Sequence, residues 1–187
     1  MSILVLNFSG RENGNCENIA KVIQEELKNV EVINFNQINI FPCSNCNYEC
    51  FKNKNECPYI IDDVIELYEK ITNSNLVYYI IPNYCGFPNS NYFIFNERGC
   101  SYFNGDKELM NKFFSINKKI IVVSNSNQEG FKNILKSNVK DESNILFLST
   151  RKYNQNSIDG TLMNIELAKQ ELIQFIKKDW IVNKRML

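Results

Sequence analysis

Short apolar runs that alternate with amphipathic helical stretches restrict this chain's fold more than any other feature of its sequence. Ile3-Leu4-Val5-Leu6-Asn7-Phe8 is apolar almost throughout and stops at a Ser-Gly turn, as a strand covered on both faces does. Residues 15–29 then place Ile19, Ala20, Ile23 and Leu27 at helical spacing. Residues 30–35 predict a second strand, and residues 60–72 a helix with Val64, Ile65, Tyr68 and Ile71 on one face. A third strand over 76–81 is expected to end at Pro82. Residues 83–117 mix aromatics with Asn and Gly and predict a loop with one or two short helices. A fourth strand is expected over 119–124, a helix over 131–137 and a fifth strand over 145–149. A long C-terminal helix over 159–180 follows, carrying Leu162, Ile165, Leu167, Ala168, Leu172, Phe175 and Ile176. This alternation implies βαβ units in one α/β domain of 187 residues. Right-handed crossovers then favour a doubly wound five-stranded parallel sheet of order 2-1-3-4-5, with helices on both faces. Ligands of such sheets bind beyond the carboxyl ends of the strands, where the strand order reverses.

Composition removes several classes of function. Lys+Arg and Asp+Glu are 21 each, and neither a basic stripe nor a polybasic run points to nucleic acid or a membrane surface. Histidine is absent, which excludes Ser-His-Asp and Cys-His catalysis and any His-ligated metal. The amino terminus reads directly into a strand without a positive leader, and no apolar stretch is long enough to span a bilayer. The expectation is a cytoplasmic protein.

Three loops follow the carboxyl ends of the central strands. The first, Ser9-Gly10-Arg11-Glu12-Asn13-Gly14-Asn15-Cys16, leads into a helix whose free N–H groups and dipole favour an anion. Ser9 and Asn15 can donate hydrogen bonds there, and Arg11 can pair with a phosphate. An ordinary Gly/Asn turn with a solvated Arg reads equally well, because the P-loop and G-x-G-x-x-G patterns are both missing. The second, Pro82-Asn83-Tyr84-Cys85-Gly86-Phe87, sets an aromatic beside exposed backbone, where a flat ring can lie; taken alone it is a Pro-Gly turn. The third begins at Ser124-Asn125 and is polar, as most loops are.

Together these residues resemble the NAD(P)H-dependent FMN reductase family of the flavodoxin-like superfamily. That family opens with Ser-x-Arg-x-x-Gly-Asn-Thr/Ser after its first strand, matched here by Ser9, Arg11, Gly14 and Asn15. Cys16 stands at the Thr/Ser position, so a hydroxyl donor is lost. A second signature, Pro-x-Tyr-x-Gly, is matched by Pro82, Tyr84 and Gly86, and Phe95, Glu97 and Arg98 echo a later Phe-x-Asp-Arg. The resemblance implies that Ser9, Arg11, Asn15 and Cys16 hold the FMN phosphate. Pro82, Asn83, Tyr84, Cys85 and Gly86 would contact the ring or ribityl chain, and Ser124 and Asn125 of the third loop are further candidates for binding the cofactor. It also implies NAD(P)H as co-substrate, a small-molecule or protein electron acceptor, and a homodimer, with the aromatic stretch 92–103 as contact surface or core.

Four of the seven cysteines, Cys43, Cys46, Cys50 and Cys57, lie in a C-x2-C-x3-C-x6-C spacing. Such thiolates can converge on one metal centre, and the spacing resembles that of iron–sulfur flavoproteins. Three readings stay open: a [4Fe–4S] cluster exchanging electrons with the flavin, a zinc, or inert thiols packing a loop. Cys16 sits where a helix N-terminus can lower a thiol pKa, although a plain replacement for Thr is the simpler reading. Cys85 and Cys100 are expected to be buried neutral thiols. The expected activity is hydride transfer from a nicotinamide through FMN to an acceptor. The alternatives are an electron-transfer module coupling the cluster to FMN, and a binding protein that has lost flavin.

Overall fold

The computed structural model describes residues 1–125, 129–135, 138–139 and 141–183. The strands are β1 (Ile3–Asn7), β2 (Val30–Asn34), β3 (Leu76–Tyr84), β4 (Phe87–Pro88), β5 (Asn117–Ser124) and β6 (Ile145–Ser149). The α-helices are α1 (Asn15–Glu26), α2 (Val64–Thr72), α3 (Ser90–Phe103), α4 (Lys107–Ser115), α5 (Glu129–Leu135) and α6 (Glu166–Asn183). The main sheet runs β2-β1-β3-β5-β6 with every neighbour parallel. This is the expected order 2-1-3-4-5, renumbered because the two-residue β4 pairs antiparallel with the end of β3.

Alternation along the strands divides the core in two. Ile3, Val5, Tyr78, Ile80 and Ile121 face α1 and α6, where Ile19, Ile23, Leu172 and Ile176 meet them. Leu4, Leu6, Val77, Tyr79 and Val122 face the other way, against Val64, Tyr68, Phe95, Phe113 and Phe131 of α2–α5. A side chain of this kind stabilises by about 1.5–3 kcal/mol when fully buried. Tyr92, Phe95 and Tyr102 lie in this second core, so core packing accounts for most of the aromatic stretch.

Several boundaries depart from expectation. Helix α2 starts at Val64 rather than at residue 60, because Asp62 and Asp63 are engaged in backbone contacts before it. Residues 159–165 are bends with one 3-10 turn (Leu162–Asn164) rather than the start of α6, and Leu167 in the first turn of α6 is exposed. The C-terminal part of the helix expected over 131–137 lies outside the described residues.

Pro82 does not end β3. The Phe8 N–H donates to the Ile80 carbonyl at 3.0 Å, so Ile80 points toward β1, and Pro82, two residues on, points the same way. The β1 ladder has ended by then, so the missing N–H breaks no existing pair. The Phe8 carbonyl, which a residue with an N–H would have served, accepts instead from the side-chain amides of Asn89 (2.5 Å) and Asn91 (2.9 Å). Left unmet in a buried position, such a carbonyl costs about 1–3 kcal/mol. The substitution binds the start of α3 to the end of β1 and brings the first two candidate loops side by side.

Candidate functional site

The loops after β1, β3, β5 and β6 surround one cleft of about 250 Å³ at the carboxyl ends of the strands. Ser9, Arg11, Gly14, Asn15 and Cys16 line it from the first loop; Pro82, Asn83, Tyr84 and Cys85 from the second; Asn125 from the third. A larger cavity of about 340 Å³ lies at the amino end of β5, among Phe114–Lys118, Asn138, Val139 and Asn144. It is at the opposite end of that strand from the loops where doubly wound sheets bind ligands.

The first loop exposes main-chain donors. Its earliest helical bond runs from the Asn18 N–H to the Gly14 carbonyl (3.1 Å), so the N–H groups of Asn15, Cys16 and Glu17 have no partner within the helix. Gly14, the N-cap, has no side chain to cover them. Asn13 before it is left-handed (φ 53°), and its N–H donates to Glu17 Oε2 at 2.6 Å. Ser9 Oγ accepts from the Arg11 N–H at 3.1 Å and keeps its own proton to donate. The Arg11 guanidinium donates to the Ile158 carbonyl (2.6 Å), and among the described residues no carboxylate pairs with it.

Two expected phosphate ligands have other tasks. Asn15 is buried; its amide donates to the Ser157 carbonyl (3.1 Å) and its oxygen accepts from the Leu162 N–H (3.0 Å). It anchors the loop, while its main-chain N–H remains open. Cys16 is buried among the core residues, and burial pushes its thiol pKa up to about 12, against a small lowering by Arg11. Desolvation outweighs the helix dipole, so this thiol is neutral and no nucleophile. At pH 8 iodoacetamide is expected to modify the exposed Cys85 and Cys100 and spare Cys16, as peptide mass mapping would show. Above about pH 9 the unfolded chain ionises at Cys16 and the folded one does not. Its contribution to stability is therefore complete below pH 9 and is lost as pH rises toward 12. Comparable labelling of Cys16 in the native protein would contradict this.

The second loop is a two-residue hairpin. Tyr84 pairs with Phe87, and the central Cys85 (φ 53°) and Gly86 (φ 90°) both adopt the left-handed region a type I′ turn demands. Gly86 does not line the cleft; its N–H donates to Asn83 Oδ1 (2.8 Å), and Asn83 Nδ2 donates to Ser124 Oγ (2.8 Å). Asn83 and Ser124 thus shape the hairpin, and Tyr84, Cys85 and Phe87 are left exposed at its tip. The expectation that Cys85 and Cys100 are buried is corrected: both are exposed, Cys85 at the turn and Cys100 on α3.

The four clustered cysteines do not assemble a metal centre. Among the described residues no three His, Cys, Asp or Glu side chains come together to hold an ion. Cys50 and Cys57 are buried, while Cys43 and Cys46 are only partly covered. Burial, and then the Glu97 carboxylate, push the Cys43 thiol up to about 12; burial and neighbouring thiols raise Cys50. The Cys57 sulfur accepts from Arg98 Nη2 at 3.9 Å. Without a metal-holding group among the described residues, these cysteines fit neither a [4Fe–4S] cluster nor a zinc.

Sequence reasoning missed Ser157 and Ile158, which complete the cleft from the segment between β6 and α6. Gly160 was the one local signal there.

A doubly wound parallel sheet with a donor-lined cleft at its switch point defines a flavodoxin-like α/β protein. The structure of Trp repressor binding protein from Bacillus subtilis matches it with a TM-score of 0.61 at 15% identity, over 94% of this chain and 98% of that one. The structure of RosB with a bound 8-demethyl-8-formylriboflavin-5'-phosphate intermediate matches with a TM-score of 0.58 at 12% identity, over 96% of this chain and 81% of that one. At these identities the likeness is one of fold. No curated protein matches the sequence. Residues 1–130 match the family model described as NADPH-dependent FMN reductase. The chain belongs to that family, and its class is that of the NAD(P)H-dependent FMN oxidoreductases.

Proposed function

We propose that this chain holds FMN in the cleft, takes reducing equivalents from NAD(P)H and delivers them to a small-molecule or protein acceptor. One observation carries the reading. The open main-chain donors of α1, the Arg11 guanidinium, and Tyr84 and Cys85 of the exposed hairpin meet in one cleft. The donor set suits a phosphate ester: the open N–H groups of Asn15 and Cys16 at a helix N-terminus, a serine hydroxyl and an unneutralised guanidinium. A cavity of about 250 Å³ is small beside the roughly 300–1,000 Å³ of sites that enclose a whole ligand. It suits the phosphate and ribityl end, with the ring lying outward along the hairpin.

When bound, FMN supplies the hydride and electron chemistry. The chain's residues bind and orient it. Ser9, Arg11 and the N–H groups of Asn15 and Cys16 would hold the phosphate, with Asn125 beside the ribityl chain. Tyr84 and Cys85 would flank the ring and leave its outer face open to nicotinamide and acceptor. No side chain is assigned a proton. The absence of histidine and the neutral Cys16 thiol agree with a site that positions a cofactor instead of performing acid–base work. The reading includes a cytoplasmic setting, which suits seven free cysteines, and a homodimer to which the exposed Tyr84, Phe87 and Phe93 contribute apolar area.

The test is titration of the purified protein with FMN, followed by anaerobic addition of NADH or NADPH and then a quinone. Bleaching of the flavin absorbance by a nicotinamide and its return with the acceptor are expected. Failure to bind FMN, or bound FMN that neither nicotinamide reduces, would overturn the proposal.

A further inference from the structure

The segment between β6 and α6 reaches back across the molecule to the first loop, and it lies beyond the residues that match the family model. Three side chains from the first loop and the start of α1 grip its backbone: Arg11 at the Ile158 carbonyl, Asn15 at Ser157 and Leu162, and Asn18 at the Gly160 carbonyl (2.8 Å). Gly160 is left-handed (φ 71°), and a Cβ there would stand 2.5 Å from the Asn13 carbonyl and 3.6 Å from Gly14 Cα. The far end of the segment is fixed by Leu162 and Met163, buried in the core against α1. The segment therefore presses on the Asn13–Gly14 peptide, the point where the chain turns into the open N–H groups of α1.

We infer that residues 157–162 are a positioning strap for the phosphate-binding loop, and that the close approach of Gly160 to Asn13 sets the preference for a flavin phosphate ester over the uncharged flavin. The inference rests on the reading of the cleft as an FMN site. Open donors bind an anion well only when they are held in place before it arrives, and the strap is what holds them. The side chains of Asn15 and Asn18 grip the strap rather than the ligand. Ring contacts come from the hairpin on the other side of the cleft, so loosening the strap weakens the phosphate-dependent part of binding and spares the rest.

The experiment compares FMN with riboflavin, by fluorescence titration, in the wild-type protein and in Gly160→Ala and Asn18→Ala. Wild-type protein is expected to prefer FMN. In Gly160→Ala the ratio of FMN to riboflavin affinity is expected to fall about tenfold, with riboflavin binding changed less than about twofold, and Asn18→Ala is expected to move it the same way by less. Asn18→Ala alters one hydrogen bond at the edge of the segment and keeps a folded protein available if Gly160→Ala destabilises the chain. Folded variants that keep the wild-type ratio, or lose both ligands equally, overturn the inference, as does a wild-type protein that binds the two flavins alike. A wild-type protein that binds neither overturns the FMN reading itself.

Discussion

Replacing Arg98 by Leu is expected to cost about 3–5 kcal/mol of folding stability, measured by urea denaturation, because it strands a buried carboxylate. Arg98 is fully buried on α3 and pairs with Asp62, also buried, through both guanidinium ends. It also donates to the carbonyls of Phe41 (2.8 Å) and Tyr59 (3.2 Å) and to the Cys57 sulfur. Asp62 in turn accepts from the N–H groups of Phe41 (3.0 Å) and Val64 (3.1 Å). One ion pair thus closes both ends of the cysteine-bearing segment and ties it to the helix that follows the hairpin. Against a usual domain stability of about 5–15 kcal/mol the loss is large. Asp62→Leu should cost a similar amount, since it strands the guanidinium. The Asp62→Leu/Arg98→Leu double variant should lose clearly less than the sum of the two, because neither charge is then left alone. A single variant that loses under about 1 kcal/mol would show that the pair is not what holds this segment.

The same residues show how far the sequence could be read. Strand order followed from apolar runs and connection rules, because both are local or nearly so, and every main strand falls on its predicted run, though β3 runs on to Tyr84 and β5 starts at Asn117. Ser9, Arg11, Tyr84 and Asn125 lie in the cleft because each stands at or just past the carboxyl end of a strand that the topology places there. What was not legible depends on contacts between distant segments. Arg98 reads as a helix residue until Asp62 is set beside it. Pro82 reads as a strand end until Asn89 and Asn91 are seen to serve the Phe8 carbonyl in its place. Asn15 has the composition of a phosphate ligand, yet Ser157 and Leu162, more than a hundred residues away, occupy its amide. The cysteine spacing suggested a centre, yet among the described residues no metal-holding group forms, because spacing fixes how near thiols can come and not how the fold turns them: Cys50 and Cys57 go inward, Cys57 against Arg98, while Cys43 and Cys46 stay partly covered. The β6–α6 segment was invisible for the same reason: its task depends on the loop it presses against.

Arg11 is the residue whose loss should cost the cleft most. Its guanidinium is the cleft's only charged lining group among the described residues, and its one described contact is with the neutral Ile158 carbonyl. A hydrogen bond to a charged group contributes about 1.5–3 kcal/mol, so Arg11→Ala is expected to weaken FMN binding by about 10- to 150-fold. Riboflavin binding should change little. Arg11 is exposed, so its attraction for a phosphate is screened by salt, whereas the α1 donors are uncharged N–H groups whose pull is far less salt-dependent. Wild-type affinity for FMN should therefore fall as salt rises, and Arg11→Ala should flatten that dependence. This separates Arg11 from the strap variants, which weaken binding without changing its slope with salt. Arg11→Lys should recover part of the affinity, since it restores the charge but not the planar fork. Equal losses for FMN and riboflavin, or a salt dependence that survives in Arg11→Ala, would mean that the phosphate is read by the backbone alone.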